Sequence, residues 1–186
     1  MKREKKGISA GGMNMLAFAA MAAMPAMACA ADGEITFKGE ITAQTCSVRG
    51  NGQGKNFEVK LPTIPAAQLD AAGKEAGYTP FTISLNNCAE DSGKVYTFFE
   101  AGPSVDPDTG HLKPEGAEGA KGVQVAIMNS DFSTIKVGAE PGAQNSASVS
   151  INEKAAELNY YAKYIAIGKA EAGAVSTTVR YSIAYE

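Results

Sequence analysis

The chain has 186 residues, with 17 Lys and Arg against 20 Asp and Glu, one His, three Cys and no Trp. That length suits one domain behind a short leader. The acid excess argues against nucleic acid as a partner, because phosphate binding needs a basic face.

Residues 1–30 read as a secretory signal peptide. Lys2, Arg3, Lys5 and Lys6 make a basic start, Met13 to Ala23 an apolar middle, and Ala28-Cys29-Ala30 a small-residue end. The middle is about eleven residues, too short to span a bilayer. Cleavage after Ala30 starts the mature chain at Ala31, and cleavage after Ala28 would instead leave Cys29 at the amino end. The exported remainder is expected to be soluble and more acidic, with 13 bases against 19 acids. After cleavage at Ala30 it keeps two cysteines, Cys46 and Cys88, and an even count in an exported chain reads as one disulfide. Closing that loop of roughly 40 residues is worth about 4 kcal/mol in the chain-entropy view. Two Cys without a further Cys or His nearby cannot close a zinc site, and no metal is expected.

Along the mature chain the apolar pattern has a period of two almost throughout. In "EITFKGEIT" Ile35, Phe37, Gly39 and Ile41 share a face, with Gly33 before them. "NFEVKLP" alternates through Phe57, Val59 and Leu61. A short helical turn is expected in 66–77. "YTPFTISLNNC" leads Phe81, Ile83 and Leu85 into Cys88, and "KVYTFFEA" is a further apolar strand. Residues 101–122 read as a long Gly/Pro/acidic surface loop. "GVQVAIMNSDFSTIKVG" reads as a hairpin and "SASVSI" as a short strand, while "NEKAAELN" (152–159) carries helix-favouring residues. "LNYYAKYIAIG" is a long aromatic strand. Last, Val175, Thr177, Val179, Tyr181, Ile183 and Tyr185 alternate with polar or small residues to the final Glu186. Strands of this length between Gly, Pro, Asn and Asp clusters predict an all-β antiparallel sandwich.

Chemistry-bearing patterns are scarce. His111 lies in the 101–122 loop and is expected to be solvated, with no G-x-S-x-G elbow to pair with it. "DPDTG" (106–110) lacks the spacing and distal Glu of a calcium loop and reads as a turn. No catalytic residue and no cofactor are expected. The strand tyrosines read as core rather than as a sugar platform.

The ordered set of these pieces resembles the pilins of the chaperone–usher pathway, the subunits of type 1-like fimbriae of Gram-negative bacteria. It consists of "ADGEITFKGEITAQTCSV" before the first Cys, "FTISLNNC" at the second, "GVQVAI", "YYAKYIAIG", and a penultimate Tyr185 paired with Gly173. The resemblance implies an incomplete immunoglobulin-like sandwich lacking its last strand, completed by a donor strand from the neighbouring subunit. It divides the chain into a signal peptide (1–30), an amino-terminal donor extension (31–44) and a pilin domain (45–186). Gly33, Ile35, Phe37, Gly39 and Ile41 would be the inserted face. Gly173, Val175, Thr177, Val179, Tyr181, Ile183 and Tyr185 would mark the acceptor groove and last strand. The implied partners are identical or related pilins in a head-to-tail polymer, a periplasmic chaperone and an outer-membrane usher. The implied location is an extracellular fimbria reached through the periplasm, with this chain as a shaft subunit supporting adhesion. A minor linker or terminator subunit, or a self-contained exported lectin-like domain, is the alternative.

Overall fold

The computed structural model describes Thr36, 46–116 and 119–186. The leader and, apart from Thr36, the expected donor extension lie outside these residues. The chain divides into two compact units, Met1–Glu40 and Ile41–Glu186, and the second carries the fold described here.

Its strands are β1 (Ser47–Gly50), β2 (Glu75–Asn86), β3 (Lys94–Phe99), β4 (Lys121–Asn129), β5 (Val149–Ser150), β6 (Ala156–Glu171) and β7 (Tyr181–Tyr185). One sheet has the order β1-β2-β6-β4 and the other β5-β3-β7. Every pairing between these strands is antiparallel. β6 is the spine of the first sheet, because its 16 residues reach across both β2 and β4. Its inward row, with Leu158, Tyr160, Ala162 and Tyr164, meets Ile83 and Phe81 on one side and Ile127 and Val125 on the other. Phe99 and Val95 of β3 close the core from the facing sheet. The result is an immunoglobulin-like sandwich in which one strand position is empty among the described residues.

Among the described residues the period-two segments become strands or extended chain, and several local expectations change. Ala66–Leu69 is a single 3-10 turn, and the expected helical region ends there, since Glu75 onward belongs to β2. "NEKAAELN" forms no helix. Glu153 and Lys154 both take positive φ, and Asn152 and Ala155 exchange backbone hydrogen bonds of 2.9 Å each. That is the mirror-image turn that suits a tight chain reversal, and it delivers Ala156 into β6. Pairing to β2 outweighs helix propensity in so short a run. The 101–122 stretch is more than surface decoration. Val105 and Leu112 are buried, and Leu112 exchanges 2.8 Å backbone bonds with Val125 at the free edge of β4. "DPDTG" is a turn, as expected, with the Asp106 carboxylate accepting from the Asp108 and Thr109 N–H groups. His111 is half-buried rather than solvated, because the loop folds back on β4.

Candidate functional site: an open cleft between two unpaired segments

The carboxyl-terminal segment shows where a strand position is empty among the described residues. Even-numbered residues bond on one side only. The Glu186 N–H donates to the Lys94 carbonyl (2.8 Å) and the Lys94 N–H donates back (3.0 Å). The Glu100 N–H donates to Arg180 C=O at 2.9 Å, Glu115 to Ser176 at 2.7 Å, and Ala120 to Ala174 at 2.8 Å. In a pleated strand successive residues aim their N–H and C=O groups in opposite directions. Val175, Thr177, Val179, Tyr181, Ile183 and Tyr185 therefore aim theirs away from β3, where no described strand lies. The paired strand is shorter than the alternating run. Only Tyr181–Tyr185 lies in β7, and 174–180 continues as extended chain held along one edge.

The opposite wall is the "NFEVKLP" segment. Phe57, Val59 and Leu61 are half-buried while Glu58 and Lys60 are exposed, which is the pattern of a strand. Yet among the described residues 55–64 have no backbone–backbone hydrogen bond. Pro62 and Pro65 end the run by removing donors. What holds this wall is side-chain packing: Phe57, Val59, Leu61 and Ile64 rest on the core. Phe57 contacts Phe81 (centroids 6.2 Å apart) and Tyr181 (6.0 Å, edge-on), and Phe81 continues to Tyr160 at 5.4 Å. Gly50 allows this, since a Cβ there would fall within the Phe57 ring.

Between the two walls is a cleft of about 1060 Å³. Phe81, Ile83, Phe99, Val125, Ile127 and Leu112 reach its floor, so the hydrophobic core itself is open to it. Thr177, Val179, Tyr181 and Ile183 line it, while Val175 and Tyr185 pack against the core beside it. Gly173 stands outside the cleft. A Cβ at Gly173 would come within 2.6 Å of the Ala120 nitrogen, so its role is close backbone approach to the 119–120 segment. Cys46 and Cys88 are joined by a disulfide. The Cys46 N–H also donates to the Tyr185 hydroxyl at 3.2 Å, which fixes the start of the domain against the end of β7. The donor residues Gly33, Ile35, Phe37, Gly39 and Ile41 lie outside the described residues.

Residues 55–64 and Leu112 were not among the expected site residues. The alternation of Phe57, Val59 and Leu61 was visible, but periodicity reports which face is apolar and not whether a neighbour exists. Leu112 sat in a segment whose composition reads as loop. The polar groups nearby have structural partners. Gln124 donates to Asp106 at 2.7 Å, and Lys163 pairs with Glu75 at 2.7 Å. These contacts of Lys163, with the hydrogen bond from Tyr78, hold the Glu75 carboxyl below its ordinary range. Among the described residues no group of three or more His, Cys, Asp or Glu is placed to hold a metal ion.

A long apolar cleft flanked by two edges that are unpaired among the described residues has the shape and the backbone groups that suit an added strand. The family profile described as type-1 fimbrial protein A (FimA) matches residues 61–186. The chain is 42% identical to the F17 fimbrial protein of Escherichia coli over 160 residues, covering 83% of this chain and 88% of that protein. It is 41% identical over 170 residues to the major fimbrial subunit SMF-1 of Stenotrophomonas maltophilia (strain K279a), covering 89% and 99%. Among solved structures, the P pilus rod subunit PapA superposes with a TM-score of 0.57 at 18% identity, covering 76% of this chain and 99% of that one, a likeness of fold. The chain thus belongs to the FimA type-1 fimbrial protein family and is a structural pilus subunit, not an enzyme.

Proposed function

We propose that this chain is a shaft subunit that polymerises head to tail by donor-strand complementation. The observation that carries this reading is the cleft, whose two walls are extended, amphipathic and, among the described residues, unpaired on the sides that face each other. Residues 31–44 of the next copy are the strand that fills it, with Gly33, Ile35, Phe37, Gly39 and Ile41 turned inward and Glu34, Thr36, Lys38 and Glu40 outward. Residues 1–30 are the export signal and 45–186 the pilin domain that accepts the strand. An open core and free edges are unstable and aggregation-prone in solution. That supports a periplasmic chaperone covering the cleft first and an outer-membrane usher exchanging it for the next subunit, in a Gram-negative cell. The fibre stands outside the cell and supports adhesion. A contact between two different surfaces of one subunit is heterologous and open-ended, as a fibre needs.

The test is assembly of mature chains with and without residues 31–44, followed by sedimentation and electron microscopy. The intact chain is expected to form fibres. The truncated chain is expected to cap them without extending them. Fibres built from the truncated chain alone would refute the assignment.

A further inference from the structure

A second cluster lies on the outward side of the first sheet, facing away from the core and the cleft. Register places Tyr161 of β6 opposite Met128 of β4 and Pro80 of β2, and Lys163 opposite Ala126. Opposed residues share a face. This row alternates with the inward Tyr160, Ala162 and Tyr164, so Tyr161 is not a core residue. Two more rings join it. Phe132 stacks on Tyr161 with centroids 4.6 Å apart, and Tyr78 stands edge-on to Phe132 at 6.2 Å. Tyr78 and Phe132 are 48% and 55% exposed, although Met128 and Ala126 in the same row are buried.

Both exposed rings are put there by irregular backbone. β2 bulges between Ala76 and Thr79, with Gly77 at φ +72°. The bulge turns Tyr78 outward over Lys163, whose Nζ lies 5.3 Å from the ring centroid. Phe132 has φ +65°, a left-handed conformation that is costly for a bulky residue with no polar side chain to support it. The turn is pinned all the same. The Phe132 N–H donates to the Asn129 carbonyl at 3.0 Å and the Asn129 N–H to the Ser133 carbonyl at 2.9 Å. The Asp131 carboxylate accepts from the Ser133 N–H and hydroxyl at 2.9 and 2.6 Å. A bulge on one side of β6 and a strained turn on the other thus converge to hold half-exposed rings in water. Stability alone does not call for that, and backbone strain gathers where a site is shaped.

Polar groups at the edge of the rings are fixed as well. The Tyr78 hydroxyl donates to Glu75 Oε2 at 2.6 Å and Lys163 Nζ pairs with the same oxygen at 2.7 Å, which leaves Oε1 to accept from a ligand. Asn159, two residues before Tyr161 and on the same face, accepts from the Thr82 hydroxyl through Oδ1 at 2.7 Å, which leaves its amide N–H groups to donate.

We propose that this cluster is a shallow binding site for an uncharged pyranose of a glycan. A pyranose has an apolar C–H face that lies flat on an aromatic ring, and a rim of hydroxyls that a fixed carboxylate oxygen and an amide can meet. The Lys163–Glu75 pair cancels in charge, and the Asp131 carboxylate is bonded within its own turn, which favours a neutral ligand over an ionic one. Three rings are too small an area for a stable protein partner, which takes about 800 Å² a side. Ile167, the other large apolar side chain exposed among the described residues, lies four residues beyond Lys163, about 13 Å along β6, and does not extend the patch. A strand in the cleft leaves this face uncovered, so the site belongs to the chain whether or not it polymerises. In a fibre it would recur once per subunit, and weak single contacts would sum.

The test is saturation-transfer NMR on the oxidised mature chain. Chitotetraose, lactose and mannotriose are the neutral probes and choline and glucuronate the charged ones, each up to about 10 mM, a range in which weak contacts register. Saturation of the C–H protons on one pyranose face of at least one neutral probe is expected, with little on choline or glucuronate. Tyr78→Leu should weaken that binding by about two- to tenfold, the weight of one aromatic contact. Phe132→Gly is the sharper variant, because glycine takes the left-handed turn freely. It should lose binding while melting within about 4 °C of the parent. Retained binding with a large fall in melting temperature would make the ring a structural cap and overturn the assignment. So would no saturation of any neutral probe, stronger saturation of choline or glucuronate, or binding unchanged in both variants.

Discussion

If the cleft lacks one strand, supplying that strand within the same molecule must stabilise the fold by a calculable amount. The perturbation is a copy of residues 31–44 joined after Glu186 through a short flexible linker. The donor would run antiparallel to β7, so a tight reversal suffices. Ile35, Phe37 and Ile41 would enter a cleft floored by Phe81, Ile83, Phe99, Val125 and Ile127. At about 1.5–3 kcal/mol for each large apolar side chain, their burial contributes about 5–9 kcal/mol. The N–H and C=O groups of Val175 to Tyr185 that face the gap gain ladder partners at about 0.5–1.5 kcal/mol each. Ordering the added strand opposes this. Taking the apolar contribution alone, and about 2–4 °C per kcal/mol for a domain of this size, Tm should rise by about 10–35 °C. The assay is thermal unfolding followed by circular dichroism, on the oxidised chain with the appended copy and on the same chain bearing Phe37→Asp in that copy. The first should melt far higher and stay monomeric, because its cleft is filled from within. The second should lose most of the gain. Equal melting of the fused and unfused chains would mean that the sandwich is already complete, and the assembly mechanism proposed here would fall.

Two further outcomes follow from local geometry. Gly173→Ala places a methyl group within 2.6 Å of the Ala120 nitrogen, and it should cost about 1–3 kcal/mol by prising 174–176 from the 115–120 segment; a urea midpoint unchanged from that of the parent would contradict it. His111 is held below its ordinary pKa of 6.5 chiefly by burial, with the Lys163 charge acting in the same direction and Gln124, Asp106 and Glu75 against it. Below pH 6.5 the unfolded chain takes up a proton that the folded chain resists, so stability should decline as pH falls from about 7 toward the lowered folded value. Replacing His111 by Gln should flatten that part of the stability–pH curve, and a curve identical to the parent's would show that the imidazole is not the group involved.

Much of this architecture is legible in the residues because a half-buried strand writes itself as alternation. Phe57, Val59 and Leu61, and the row from Val175 to Tyr185, present the same face in the sequence and in the fold. What alternation cannot express is the neighbour. Nothing in "NFEVKLP" distinguishes a paired strand from a wall waiting for one, and nothing in "VSTTVRYSIAYE" says that only its second half pairs with β3. Gly173 likewise reads as part of the terminal strand, yet its position follows from the backbone at 119–120, far away in sequence. Leu112 and His111 were obscured by their Gly/Pro-rich surroundings, since composition describes the average of a segment and Leu112 is its exception. In the "NEKAAELN" run the helix-favouring side chains are outvoted by the turn that starts β6.

The open cleft also explains why the walls are built so differently. The β7 wall is anchored by backbone bonds to β3 and to the 115–120 segment, and by the hydrogen bond between the Cys46 N–H and the Tyr185 hydroxyl. Among the described residues the 55–64 wall has no backbone bonds and is held by the packing of Phe57, Val59, Leu61 and Ile64 on the core and by the hydrogen bond from the Tyr181 hydroxyl to the Lys55 carbonyl. A strand inserted between them adds ladder bonds to both, but only the second wall has none to begin with. That wall should therefore gain most in order on complementation, while β7 acts as the template. A rigid template with a compliant opposite wall lets an incoming strand pair on one side first and be enclosed afterwards, without reopening the β3–β7 ladder. On the proposed assembly each added copy covers one open edge and presents an identical one, so growth ends only when something other than this chain fills the last cleft.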